Sequence, residues 1–158
     1  KTAYEIMPSL VGSEMCIRDR KITQDFGKNL RHLMWPLSEF IEENRADPEM
    51  AEFNKPLHQG ARGLQQITLL MIAEGMANPH FLAAGATDYC RYFGNVLLAY
   101  MWARMAKICL QKKGDPFYDA KLASARFFFK RIYPETISLA AKIQSGPKPL
   151  MDYPVEKF

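Results

Sequence analysis

The sequence predicts an all-α protein: an up-down antiparallel bundle of about four long helices, followed by an extended C-terminal tail. Three observations carry that prediction. Apolar residues recur every three or four positions over long windows, and no window alternates with the period of a strand. Three dipeptides, Asp47-Pro48, Asn78-Pro79 and Asp115-Pro116, punctuate the chain where helices would begin. The segments between them are joined too tightly for anything but antiparallel neighbours.

Each dipeptide pairs an N-cap residue with proline at the first helical position. The Asp or Asn oxygen accepts from an orphan backbone N–H, and proline has no N–H to lose there. Proline also discourages its predecessor from staying helical, which ends the preceding helix. The punctuation sets helices over 22–46, 49–76, 79–113 and 116–145. In the first, Pro36 removes a hydrogen bond and should kink or restart the helix. Glu39, Glu42 and Glu43 form an ordinary solvated face. In the second, Pro56, Gly60 and Gly63 predict an irregular or split first half. "GARG", Gly60 to Gly63, is too short for a phosphate loop and lacks a preceding strand.

The third helix would be about 50 Å long at 1.5 Å per residue, with a bend expected near Gly85 or Gly94. Tyr89, Phe93, Val96, Tyr100 and Ile108 give it one apolar stripe, widened by Leu97 and Met101. Ala83, Ala84, Gly85 and Ala86 permit close helix approach. It should stop at "QKKGDP", with Gly114 left-handed and Lys112 and Lys113 placed where cations suit the helix dipole. In the fourth, Leu122, Ala125, Phe129, Ile132, Thr136, Ala140 and Ile143 repeat the stripe. Lys121, Lys130, Ser138 and Lys142 face water, and Pro134 predicts a kink or restart. Residues 21–146 thus form the bundle. Residues 147–158 are too proline-rich for a helix and should lie extended, anchored by Leu150, Met151, Tyr153 and Phe158.

Residues 1–20 fit none of this. "LVGSEMCIRDR", Leu10 to Arg20, has neither helical period nor turn logic. Back-translation of Met15 to Asp19 gives ATG-TGT-ATA-AGA-GAC, which resembles the transposase-recognition end of a sequencing-library adaptor. Leu10 to Glu14 fit the bases preceding it, and Lys1 to Ile6 fit the flow-cell end of the same adaptor. Residues 1–20 are therefore read as adaptor-derived, non-native and disordered, and are set aside from fold reasoning. The rest is expected to be the C-terminal fragment of a longer protein.

Removing residues 1–20 takes three basic and three acidic residues and leaves the net charge at +4. No dense Lys/Arg run remains, so a nucleic-acid partner is not expected. Cys90 and Cys109 lie on one helix about 28 Å apart, too far to bridge, which sets a reducing, cytoplasmic compartment as the default. His32, His58 and His80 lack metal-ligand spacing, so no metal site is expected. The longest apolar run, Tyr92 to Ala103, is shorter than the roughly 20 residues that span a bilayer.

Chemistry-bearing motifs are absent: no nucleophile elbow, no dinucleotide turn and no Glu-x-x-His pair for a di-iron site. Glu74 and Asp88 border apolar segments, where an ion pair or domain contact outweighs acid–base work. Arg104 and Arg126 fall on apolar sides of their helices. Capture of an anionic ligand is one reading; pairing with an acid such as Asp88 or Asp119, stems packed on aromatics, is the stronger one. Phe127, Phe128 and Phe129 with Tyr133 span more than one stripe, so part of that cluster should face a second surface.

"YFGNVLLAYMWARMA", Tyr92 to Ala106, and "GDPFYDAKLASARFFFKRIYPET", Gly114 to Thr136, resemble the extreme C-terminal region of long bacterial acyl-CoA dehydrogenases. The closing "LAAKIQSGPKPLMDYPVEKF" resembles that family's ending, and the pattern is nearest the 3-methylmercaptopropionyl-CoA dehydrogenase type. The likeness is specific over residues 78–158 and looser over residues 21–76. It implies a parent flavoenzyme that uses FAD to desaturate an acyl-CoA between Cα and Cβ and passes electrons to an electron-transfer flavoprotein. The catalytic glutamate and flavin-binding domains of such enzymes lie upstream. No position here matches them, so no catalytic residue, cofactor ligand or metal ligand is assigned, and the fragment itself is expected to be inactive and to hold no cofactor. The resemblance implies an accessory helical domain that packs on the dehydrogenase core or on a neighbouring subunit. A stand-alone helical interaction module unrelated to flavin chemistry is the alternative that the bundle alone would equally fit.

Overall fold

The computed structural model describes residues 28–152. The expectations placed on the adaptor-derived segment and on Tyr153 to Phe158 lie outside the described residues. The chain divides into two compact units between Pro36 and Leu37. Described residues of the first unit are the opening turns of helix α1, Lys28–Glu43. The second unit holds the remainder of α1 and then α2, Ala51–Ala77; α3, Pro79–Gln111; and α4, Pro116–Phe127. A π-helical turn, Phe128–Ile132, leads to α5, Glu135–Ser145, and a single turn α6, Lys148–Met151. There is no strand among the described residues, and the helices pack together as the all-α reading required.

The pairing of residues along the helices shows the up-down order. On the α2–α3 interface Gly60 meets Tyr92, Thr68 meets Tyr89 and Gly75 meets Leu82, so one number rises as the other falls. On the interface between α3 and the fourth rod, the run of α4, π turn and α5 over residues 116–145, Trp102 meets Phe128 and Gly85 meets Ile143, again antiparallel. Between α2 and the fourth rod, Glu52 meets Arg126 and Phe53 meets Phe129, so both numbers rise and those two run parallel.

Two of the three caps form as the dipeptides require. Asn78 accepts from the His80 N–H at 3.0 Å and Asp115 from the Phe117 N–H at 2.9 Å, each with proline inside the first turn. Asp47 accepts from the Glu49 N–H at 2.9 Å, but it closes a turn over Pro48–Met50 and α2 starts only at Ala51. Gly114 has φ +95°, the left-handed stop expected after Lys113.

Neither Pro36 nor Pro56 ends its helix, so the restart expected at Pro36 and the split expected in the first half of α2 do not occur; α1 and α2 run through both prolines. Each proline forfeits one backbone bond. The acceptors left over belong to His32 and Glu52, both exposed residues where water can replace the lost donor. Pro134 behaves as expected: the α-helix gives way to the π turn ahead of it and restarts at Glu135. The extended tail requires a correction as well. Lys148–Met151 forms one helical turn after Gly146, because Pro147 and Pro149 sit at its start, where no N–H is needed.

The core also differs in register from the predicted stripes. In α3 the buried seam is Tyr89, Tyr92, Val96, Ala99, Ala103, Ala106 and Cys109. Ile108 is 51% exposed and Met101 47%, so both leave the core to smaller residues. In the fourth rod Leu139 is fully buried whereas Ile132 is 40% exposed. The π turn adds residues to the turn before Pro134. Both Phe128 and Phe129 then enter the core, and the apolar series advances from Ile132 to Tyr133.

Candidate functional site

Two surfaces of the second unit stand out once the core is assigned: a cleft above Tyr133 and the outer face of α3. The cleft lies between the first half of α2 and α5, with a volume of about 550 Å³. Pro56, Phe129, Ile137 and Ala140 give it apolar walls, and Gln59 and Gln144 stand on opposite sides. No Asp, Glu, Lys, Arg or His lines it.

Its floor is built by two tyrosines lying over two glycines. Gly60 and Gly63 sit one helical turn apart on α2, and each faces a phenol. A Cβ on Gly60 would fall 1.8 Å from Tyr133 Oη, and one on Gly63 would fall 2.3 Å from Tyr92 Oη. "GARG" is therefore a close-approach site for two rings. Tyr92 Oη donates to the Gly60 carbonyl over a long 3.2 Å. Further along the same interface, Thr68 Oγ1 donates to or accepts from Tyr89 Oη at 2.8 Å and also reaches the Leu64 carbonyl at 2.7 Å. Tyr133, only 4% exposed, has no hydrogen-bond partner for its hydroxyl.

Burial pushes all three of these phenols above the ordinary tyrosine range. For Tyr89 the Thr68 hydrogen bond partly opposes the effect, and for Tyr133 the neighbouring Tyr92 adds to it. They are neutral hydrogen-bonding groups at any physiological pH.

The outer face of α3 presents Leu98, Met101, Met105 and Ile108 to solvent at helical spacing. The opposite side of the same helix is buried, so this stretch of α3 is apolar on both sides. An ordinary surface helix is apolar on one side only. Phe127 and Phe117 are 59% and 61% exposed, so the phenylalanine cluster does turn one ring outward while Phe128 and Phe129 enter the core.

The charged residues singled out from the sequence are not brought together. Arg104 is exposed and lies over the Tyr100 ring at 5.6 Å, with no contact to Asp88. Arg126 grips Glu52, through Nε at 2.9 Å and Nη2 at 2.8 Å to the same oxygen, in place of the expected Asp119. That contact raises the Arg126 pKa further and ties α4 to α2. Glu74 is exposed and Asp88 half-buried. Cys90 is exposed and Cys109 buried, both as free thiols. Among the described residues no three His, Cys, Asp or Glu side chains cluster to hold a metal ion, and no helix is long and apolar enough to cross a membrane. A second crevice, beside His58 and Arg62, holds about 120 Å³.

Among the described residues, then, the bundle joins an uncharged cleft to an apolar outer face on α3. The family described as "Acetyl-CoA dehydrogenase C-terminal like" matches residues 33–154, and the chain belongs to that family. None of the curated proteins matches it.

Proposed function

We propose that the chain is the C-terminal accessory domain of an FAD-dependent acyl-CoA dehydrogenase, and that it packs on the dehydrogenase core or on a neighbouring subunit. The reaction of the parent enzyme is α,β-desaturation of an acyl-CoA in the cytoplasm, with electrons leaving through an electron-transfer flavoprotein. The pattern nearest the 3-methylmercaptopropionyl-CoA type suggests the substrate class. Family membership supports the reading, and the outer face of α3 carries the packing: Leu98, Met101, Met105 and Ile108 make an apolar strip that the domain's own fold does not use.

The chain's own residues do not suit a flavin dinucleotide. The roomy cleft has no cation to meet a pyrophosphate, and the crevice beside Arg62 is far too small. FAD and the catalytic base therefore belong to the upstream core in this reading.

Extending the DNA sequence upstream of the Lys21 codon tests the first claim. An in-frame dehydrogenase core supports it, and an unrelated or absent reading frame refutes it. Met101→Lys in such a full-length enzyme tests the second. It should leave the fold of the bundle intact, because Met101 is outside the core, while weakening attachment of the domain, read as easier proteolytic release. Unchanged release would rule out α3 as the packing face.

A further inference from the structure

The outer strip of α3 begins at a glycine. Gly94, Leu98, Met101, Met105 and Ile108 follow one another at intervals of four, three, four and three residues. That alternation keeps a single seam turned toward a single partner helix, because its mean repeat is close to one helical turn. The buried seam of α3, Tyr92, Val96, Ala99, Ala103 and Ala106, has the same spacing and closes this bundle. Glycine weakens a helix interior relative to alanine, and close approach of a neighbour is the usual reason for it. The other glycines of α2 and α3 obey that rule. A Cβ on Gly60, Gly63 or Gly75 would overlap Tyr133, Tyr92 or Leu82, and one on Gly85 would touch Ile143 and Met71. A Cβ on Gly94 would meet nothing within 4 Å, so no described side chain uses the room it leaves.

The charges beside the strip select the partner. From Tyr89 to Gly114 the chain carries Arg91, Arg104, Lys107, Lys112 and Lys113 and neither Asp nor Glu. Lys107 is matched within the bundle by Glu43 at 3.9 Å, and Lys113 by Glu49. Lys112 lies against the Tyr118 ring and hydroxyl. Arg91 and Arg104 are exposed and have no acidic partner among the described residues. At 3.6 residues per turn they fall on opposite flanks of the strip, about 20 Å apart along the axis. Those flanks are where paired helices exchange charges. A second α3 would bring only more cations to them, whereas carboxylates would complete them. We propose, on the basis of the packing read above, that α3 pairs along Gly94, Leu98, Met101, Met105 and Ile108 with an amphipathic helix of the dehydrogenase core whose apolar seam is flanked by aspartate or glutamate. Arg91 and Arg104 meet those carboxylates, and Gly94 admits a large side chain of the partner's seam.

Titration of the full chain with two synthetic helical peptides, followed by NMR at low salt, tests the proposal. Both peptides carry leucine along a heptad seam; one is flanked by glutamate and the other by lysine. The glutamate peptide should give saturable shifts at Leu98, Met101, Met105 and Ile108. It should bind about tenfold more tightly than the lysine peptide, since two flanking pairs turn from attraction to repulsion. Arg91→Gln with Arg104→Gln should remove most of that preference. Lys121→Gln with Lys130→Gln changes the net charge equally at exposed positions of the fourth rod and should leave the preference in place. In the parent enzyme Gly94→Trp should ease proteolytic release of the domain, as Met101→Lys does. The same change should leave the melting temperature of this chain unchanged or higher, because nothing opposes the new side chain. The proposal is overturned if the two peptides bind alike, if neither shifts the strip, or if the Arg91 and Arg104 variant keeps the preference. Loosening of the parent's domain by Met101→Lys but not by Gly94→Trp leaves the packing on α3 standing and overturns the helix pairing. Loosening by neither removes both.

Discussion

Gly60→Ala is expected to destabilise a helix that alanine ordinarily favours. In an exposed helix interior the exchange gains about 1 kcal/mol. Here the new methyl would lie 1.8 Å from Tyr133 Oη and 2.8 Å from its Cζ. The ring has little freedom to retreat: it is 4% exposed and packs against Phe128 and Phe129, with centroids 6.1 and 5.4 Å away. Overpacking of this kind costs about 1–3 kcal/mol, and so deep an overlap belongs at the upper end. The net loss is then about 2 kcal/mol, equivalent to a melting temperature lower by about 8 °C for a domain of this size. Thermal unfolding followed by far-ultraviolet circular dichroism measures it. Tyr133→Phe supplies the control: it removes the oxygen of the worst overlap and leaves the Cζ contact. Placed in that background, Gly60→Ala should lose about half its penalty, a coupling of about 1 kcal/mol in a double-mutant cycle. A higher melting temperature for Gly60→Ala alone, or strictly additive effects in the cycle, would show that the two residues do not compete for this space.

The register of the fourth rod gives a paired test: Leu139→Ala should cost about 3–5 kcal/mol as a core cavity, while Ile132→Ala should cost under about 1 kcal/mol, and the reverse order in chemical denaturation would refute the π-turn shift. Asn78→Ala removes the cap on His80 and should cost about 1 kcal/mol, read in the same assay; Asn78→Gly should recover most of it, and equal losses would mean that the cap is not what matters. Alkali supplies a fourth test. Tyr89, Tyr92 and Tyr133 have folded pKa values raised by burial, so their stabilising contribution is complete below the unfolded phenol value of about 10 and is lost as the pH rises through the raised folded values. Ionisation of these three phenols, read as tyrosinate absorbance, should therefore complete only as helicity is lost. Full ionisation of all seven tyrosines in a still-helical protein would contradict the burial.

The parts of the fold that were legible in the sequence are those set by local chemistry. Asn78 and Asp115 announce themselves because a cap oxygen and a first-turn proline act within two residues of each other, and Gly114 because its backbone angle suits few other residues. The misread parts depend on long-range packing. Size misled the choice of core positions in α3: Ile108 and Met101 are the larger side chains, but the helices approach over Ala99, Ala103 and Ala106. The cleft was hidden for a related reason. Gly60 and Gly63 read, with Pro56, as a sign of an irregular first half of the helix, yet an i, i+3 glycine pair inside a helical pattern is itself a signal of close approach. What it could not disclose was which residues approach, since Tyr92 and Tyr133 lie far along the chain. The one-residue slip at the π turn had a visible cause in Phe127-Phe128-Phe129 ahead of Pro134, but not a visible direction.

The exposed strip on α3 is best understood against that same packing. Four large apolar side chains on an outward face contribute little to the bundle's own stability, since each stays between 38% and 51% exposed. Helix propensity does not demand them either, because lysine, glutamate and glutamine form helix about as well as leucine and methionine. Neither the core nor the helix thus accounts for Leu98, Met101, Met105 and Ile108. The proposed packing on a dehydrogenase core or a neighbouring subunit would: burying apolar area is favourable at about 25 cal/mol per Å², and the gain would be realised only when that second body arrives. On that proposal the two sides of α3 have two tasks, the buried seam closing this bundle and the exposed strip meeting the partner.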